Sequence, residues 1–156
     1  MVNVEQVMIR DVLRVQSDMA LTDAARILLK FKVPELFVVN EHDHLIGVLP
    51  DYVLLRTQLS EPFEDLTAAS RATTVSYILR PEDTLVQAAQ LLRLNVHRSL
   101  PVVSEKRVLG VVTRRVVLRH LMAPELRVPQ MRWQVPRPQF LAFSHYHAAK
   151  KTSRTE

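Results

Sequence analysis

The 156-residue chain contains no cysteine. Disulfides, thiolate-ligated zinc and thiol nucleophiles are excluded together. Glycine is nearly absent, with only Gly47 and Gly110 present. A loop that cradles phosphate with backbone N–H groups needs several glycines in one stretch, so that kind of nucleotide site is excluded too. No apolar run approaches the ~20 residues that span a bilayer. The opening stretch, MVNVEQVMIRDV, lacks the basic start and apolar run of a secretory signal. A cytoplasmic location and no membrane partner are expected.

What remains is ordinary globular composition, with 47% apolar and 24% charged residues. The net charge of +5 is unevenly placed. Residues 1–123 carry 15 Lys/Arg against 14 Asp/Glu, whereas residues 124–156 carry 6 against 2. The basic character therefore belongs mostly to a C-terminal extension. A nucleic-acid binder would show it on the folded part.

The chain repeats itself. LTDAARILLKFKVPELFVVNE (21–41) aligns without a gap with LVQAAQLLRLNVHRSLPVVSE (85–105), with 8 identities in 21. After the loss of one residue, GVLPDYVLLR (47–56) aligns with GVVTRRVVLR (110–119), with 5 identities in 10. The two glycines occupy equivalent places. In each copy Leu21, Ala24, Ala25 and Leu28, or Leu85, Ala88, Ala89 and Leu92, recur at i, i+3, i+4 and i+7, one helical face. Leu36–Val39 or Leu100–Val103 then read as a strand. A polar turn and a second strand, Leu45–Leu49 or Val108–Val112, follow as a hairpin. A second helix begins near Asp51 or Arg114, and an extended piece, Val12–Val15 or Ser76–Leu79, precedes each copy. The expected fold is α/β, built from two stacked β-α-β-β-α units with pseudo-two-fold symmetry, because neither unit can hide its sheet face alone. The expected divisions are repeat 1 at 1–59, a linker at 60–71, repeat 2 at 72–123 and a Pro-rich basic extension at 124–156.

DTLVQAA (83–89), SLPVVSE (99–105) and GVVTRRV (110–116), matched in order by MALTDAA (19–25), ELFVVNE (35–41) and GVLPDYV (47–53), resemble the tandem cystathionine-β-synthase-type (CBS) domain pair, or Bateman module. The resemblance covers roughly residues 4–122. It implies a regulatory binding module rather than an enzyme. It implies adenosine-type ligands in clefts between the repeats, and pairing of two modules as a homodimer. AMP, ADP, ATP or S-adenosylmethionine are the expected regulatory ligands, none of them a required cofactor. A regulated protein partner follows from the same resemblance.

The family's strand-to-helix junction, G-h-h-T-x-x-D with h apolar, uses the hydroxyl on ribose or phosphate and the Asp on the ribose diol. Copy two keeps Thr113 but has Val116 in place of the Asp; copy one has Pro50 and Val53. No nucleotide is expected at copy one's own junction, where Asp51 would repel phosphate and suit the helix dipole. Copy two carries Arg114 and Arg115 after its Thr. Arg98 lies where some nucleotide-sensing relatives place a phosphate contact, and His97 precedes it. Arg98, Thr113, Arg114, Arg115 and His97 are thus the candidate ligand contacts in a repeat-2 cleft, since guanidinium forks suit phosphate oxygens. Thr113 reads equally as a helix N-cap, and the Arg pair as solvated surface.

Other features carry less chemistry. His42 and His44 in one turn, and His145 and His147 in the extension, lack further partners for a metal site. Asp18, Asp23, Glu82 and Asp83 flank helix starts and suit the dipole. No nucleophile–base–orienter set is present, so no catalytic residues are assigned. Trp133, Phe140, Leu141, Phe143 and Tyr146 are many aromatic and apolar residues for a linker. Packing on the module or on a partner is expected for them, and nucleic acid is not expected despite KKTSR (150–154). The alternative function is a ligand-free interaction and dimerisation scaffold using the extension.

Overall fold

The computed structural model describes residues 1–94 and 98–122; His97 and the extension from residue 123, with its aromatic residues and its His145 and His147, lie outside the described residues. In chain order the elements are α1 (Val4–Val7), β1 (Arg14–Gln16), α2 (Leu21–Phe31), β2 (Glu35–Val39), β3 (Leu45–Pro50), α3 (Asp51–Ser60), α4 (Ala68–Arg71), α5 (Leu85–Leu92), β4 (Ser99–Ser104), β5 (Arg107–Thr113) and α6 (Arg114–Leu121). The expected α/β repeat is present twice.

In repeat 1, β2 pairs in parallel with β1 and antiparallel with β3. It is central and buried from Leu36 to Val39, which suits its unbroken apolar run. In repeat 2, β4 and β5 pair antiparallel, and the piece expected at Ser76–Leu79 reduces to one parallel bridge from Leu79 to Val102. A register shift falls at Val38/Val39 in one sheet and at Val102/Val103 in the other. The repeat therefore reproduces even the irregularities. Leu21, Ala24 and Leu28 of α2 are buried, as are Leu85, Ala88 and Leu92 of α5, while Leu29 faces out. The sheets meet through Val12, Phe37 and Val108, with Leu45, Val48, Val103 and Val111 packed around them.

The turns show how local chemistry fixes the hairpins. Glu105 and Lys106 both have positive φ, as a two-residue turn compatible with strand twist requires. In the other turn the Asn40 side chain accepts from the N–H groups of His42 and His44 at 3.0 and 2.9 Å. His42 and His44 are thus placed by turn geometry. Among the described residues no three His, Cys, Asp or Glu side chains gather as a metal site. No described helix is long and apolar enough to cross a membrane.

The segment preceding each copy crosses to the other copy. Asn3 bridges Thr84 and Ile9 bridges Val111; Thr67 bridges Ala20 and Thr73 bridges Val48. Val4 N donates to Asp83 O at 2.8 Å, and its equivalent Ala68 N donates to Met19 O at 2.8 Å. Val4 and Met8 belong to the core of repeat 2, with Leu79, Leu85, Leu100 and Val112. Each repeat unit in sequence thus contributes its leading arm to the other's packing.

This exchange explains the two glycines. A Cβ on Gly110 would lie 2.7 Å from Ile9 O, and one on Gly47 would lie 2.9 Å from Thr73 O. Neither glycine has positive φ. Each is needed for the close approach of a crossing arm.

Candidate functional site

The strand-to-helix junction of repeat 1 is latched to the start of β2. Glu35 is the register partner of Pro50, and Asp51 N donates to Pro34 O at 2.9 Å. Pro50 starts α3 with extended backbone and no side-chain cap, and Asp51 supplies the acidic first residue. The crossing arm, continuing past Thr73, runs alongside. From the other repeat come Arg98, Ser99 and Pro101. Together these surround a cleft of about 250 Å³.

Its lining combines four kinds of group. Tyr52, Tyr77, Pro34, Pro50, Phe37 and Val75 give flat or apolar walls. Thr73, Thr74, Ser76 and Ser99 bring hydroxyls, although Thr73 Oγ1 already donates to Val48 O at 3.1 Å. Glu35 and Asp51 bring carboxylates, and Arg98 a guanidinium. Ser99 Oγ donates to Glu35 Oε1. These two residues are equivalents in the repeat, so their contact marks the pseudo-two-fold axis. Arg98 Nη1 stands 4.0 Å from Asp51 Oδ2, with the two side chains 71% and 47% exposed. An open pair of this kind adds little stability.

The five candidates from the sequence are distributed differently. Arg98 lines this cleft, beside the junction of copy one. Thr113, Arg114 and Arg115 are not among the residues that line it. Thr113 caps α6, its Oγ1 accepting from Val116 N at 3.3 Å. Arg114 Nε donates to Leu92 O at 3.0 Å, so its charge sits at the C-terminal end of α5, where carbonyls lack helical partners. Arg115 is exposed on α6. His97 falls outside the described residues. Val53 and Val116, standing where the family junction has Asp, are 1% and 8% exposed and belong to the interior.

Sequence reasoning missed Glu35, Tyr52, Tyr77, Thr74 and Ser76, and read Asp51 as a charge that repels phosphate and suits the helix dipole, without placing it beside Arg98. The signal that could have found them is the linking segment. Once residues 67–73 are seen to correspond to residues 3–9, the chain beyond Thr73 must pass the junction of repeat 1.

The comparisons agree with this architecture. A CBS domain family model matches residues 4–59 and 70–123. No curated protein matches the chain. Among solved structures, CBSX2 in complex with AMP is 27% identical with a TM-score of 0.69, covering 78% of this chain and 97% of that one. CBSX2 from Arabidopsis thaliana is 26% identical with a TM-score of 0.68, covering 77% and 94%. The CBS domain pair of protein MJ0100, in complex with 5′-methylthioadenosine and S-adenosyl-L-methionine, shares the fold at 20% identity and a TM-score of 0.67, covering 80% and 99%.

Proposed function

The chain belongs to the CBS-domain family, and from that premise we propose that it is a regulatory module whose inter-repeat cleft takes an adenosine-type ligand. The observation that carries the reading is the cleft itself. Flat side chains from both repeats, carboxylates from repeat 1 and hydroxyls from repeat 2 converge on one opening. Tyr52 and Tyr77 suit a planar base, and Asp51 and Glu35 suit the hydroxyls of a ribose, since carboxylates make strong charge-assisted hydrogen bonds to such donors. The AMP bound by CBSX2 is a ligand of this class.

A ligand held this way touches both repeats, so it favours the arrangement in which they are closed on one another. Binding to that state alone shifts its population by mass action. At a ligand concentration 100 times Kd the shift is about 2.7 kcal/mol. Calorimetry and thermal denaturation with AMP, ADP, ATP and S-adenosylmethionine test the reading. At least one should bind and raise the Tm. Silence from all four at millimolar concentration overturns it.

A second reading, an interaction scaffold, is favoured by the outer helix faces. Leu55 and Leu59 of α3 are 63% and 81% exposed, and their equivalents Leu118 and Met122 in repeat 2 are 55% and 65% exposed. Two apolar stripes related by the pseudo-two-fold suit a second copy of the chain, because a self-complementary interface needs the same patch on both partners. Sedimentation of Leu59→Glu tests the homodimer. A monomer is expected, and an unchanged mass counts against this face.

A further inference from the structure

We infer that residues 74–78 are a strap that opens and closes the inter-repeat cleft about fixed ends at Thr73 and Leu79, whereas the equivalent residues 10–14 are held to their sheet. As a gate for a bound molecule the strap rests on the adenosine reading above; as a moving segment it does not.

The two stretches follow equivalent crossings, Ile9 on Val111 and Thr73 on Val48. They then part. In repeat 1 the chain becomes β1, paired with β2 over Arg14, Val15 and Gln16. Two further bonds flank that ladder: Phe37 N donates to Leu13 O at 3.1 Å, and Ser17 N donates to Val39 O at 2.9 Å. In the second copy, 64 residues on, the two donor positions are Pro101 and Pro81. Proline has no N–H, so neither flanking bond can form in repeat 2. The pairing that remains is centred on Leu79, with Leu79 N donating to Pro101 O at 2.9 Å and Val103 N to Leu79 O at 2.8 Å. Among the described residues, the backbone N–H groups of Thr74, Val75, Ser76 and Ile78 make no backbone hydrogen bond.

Burial follows the bonds. Val12 and Leu13 are 7% and 6% exposed, whereas their equivalents Ser76 and Tyr77 lie open, Tyr77 at 45%. Arg14 also ties its stretch across to repeat 2, donating from Nη2 to Val108 O, while its equivalent Ile78 is apolar and 50% exposed. A segment with few buried apolar contacts and little backbone bonding opens at low cost in free energy. Thr73, Thr74, Val75, Ser76 and Tyr77 form one continuous wall of the cleft. Movement between the fixed ends therefore changes the width of the cleft and leaves the cores of both repeats in place.

The test on the free full-length chain is amide relaxation-dispersion NMR, which reads exchange on the μs–ms scale. Exchange is expected at residues 74–78 and not at residues 10–14. Two variants hold the strap by different routes. Pro101→Ala restores an N–H that can donate to Tyr77 O, as Phe37 N does to Leu13 O. Ile78→Arg supplies a guanidinium for Leu45 O, the equivalent of Val108 O, from a position outside the lining of the cleft. Each should suppress the exchange at 74–78. Stopped-flow fluorescence with AMP, 5′-methylthioadenosine and S-adenosylmethionine then reads the gate. For any probe that binds, each variant should slow association and dissociation alike by about fivefold, the population shift that one net hydrogen bond gives, and leave Kd within about twofold. A lost contact would instead raise Kd, chiefly through faster dissociation. Exchange that is absent from 74–78, equal in 10–14, or unchanged in both variants overturns the strap. Suppressed exchange with both binding rates unmoved overturns the gate. Silence from all three probes overturns the adenosine reading and the gate with it, and the dispersion still decides the strap.

Discussion

In repeat 1 the chain leaves β3 through Pro50 and starts α3 with Asp51; in repeat 2 it leaves β5 through Thr113 and starts α6 with Arg114. The backbone does the same thing in both places. Glu35 pairs with Pro50 as Ser99 pairs with Thr113, and each sheet shifts register one step past the middle of its first hairpin strand. The side chains do opposite things. One junction has no side-chain cap and an acid, and it opens on a cleft. The other is capped by its own hydroxyl, and the guanidinium that follows is held by the end of α5. Positions shared by the repeats thus set the architecture, and positions that differ set what each face can bind.

The comparison breaks most directly at the shared positions. Leu36 and Leu100 are equivalents, 0% and 1% exposed. Each truncated to Ala should cost about 2–5 kcal/mol, the range for losing a buried Leu side chain. Because each arm is built into the other repeat's core, both variants should unfold in a single transition in urea followed by circular dichroism. Two separated transitions in either variant would show that the exchanged arms do not couple the repeats.

A smaller effect sharpens the role of those arms. Gly110→Ala places a methyl 2.7 Å from Ile9 O and 2.9 Å from Met8 Sδ, whereas Gly47→Ala meets Thr73 O at 2.9 Å and Ala72 Cβ at 3.0 Å. Overpacking of this kind costs about 1–3 kcal/mol. Gly110→Ala should be the more damaging, since its methyl meets the backbone Ile9 O at 2.7 Å against 2.9 Å to Thr73 O on the other side, while the Met8 thioether can swing aside. Equal urea midpoints for the two variants would mean that the arms yield equally on both sides.

Much of the fold was legible because it rests on periodicity. The i, i+3, i+4, i+7 apolar face of residues 21–28 predicts α2 and the face it buries, and the second copy confirms the pattern independently. The arm exchange was not legible. Residues 1–9 and 65–73 share no identity, and hydrogen bonds such as Leu85 N to Val2 O span more than 80 positions of chain. The cleft was half legible for the same reason. Arg98 is found from its place before Pro101, but its neighbour Asp51 comes from the other repeat and the wall at Tyr77 comes with the crossing arm. Thr113 is ambiguous in another way. A Thr before a helix carries one sequence signal for two roles; the 3.3 Å bond from Val116 N shows the capping one and leaves the ligand one to an affinity measurement.

That ambiguity supports the finest test of the comparison. Thr113→Ala removes the cap of α6 and should cost about 1 kcal/mol. For a module of this size the Tm should fall by about 3–5 °C. Pro50→Ala at the equivalent place removes no cap, because Pro50 has none to give. It should cost less than about 1 kcal/mol, through the extra freedom of the unfolded chain. Affinity provides the second readout. Thr113 is absent from the lining of the cleft, so Thr113→Ala should leave the Kd of the tightest adenosine probe unchanged after correction for stability. A tenfold weakening would reassign the hydroxyl from its helix to a ligand, and with it the junction of repeat 2 from structure to recognition.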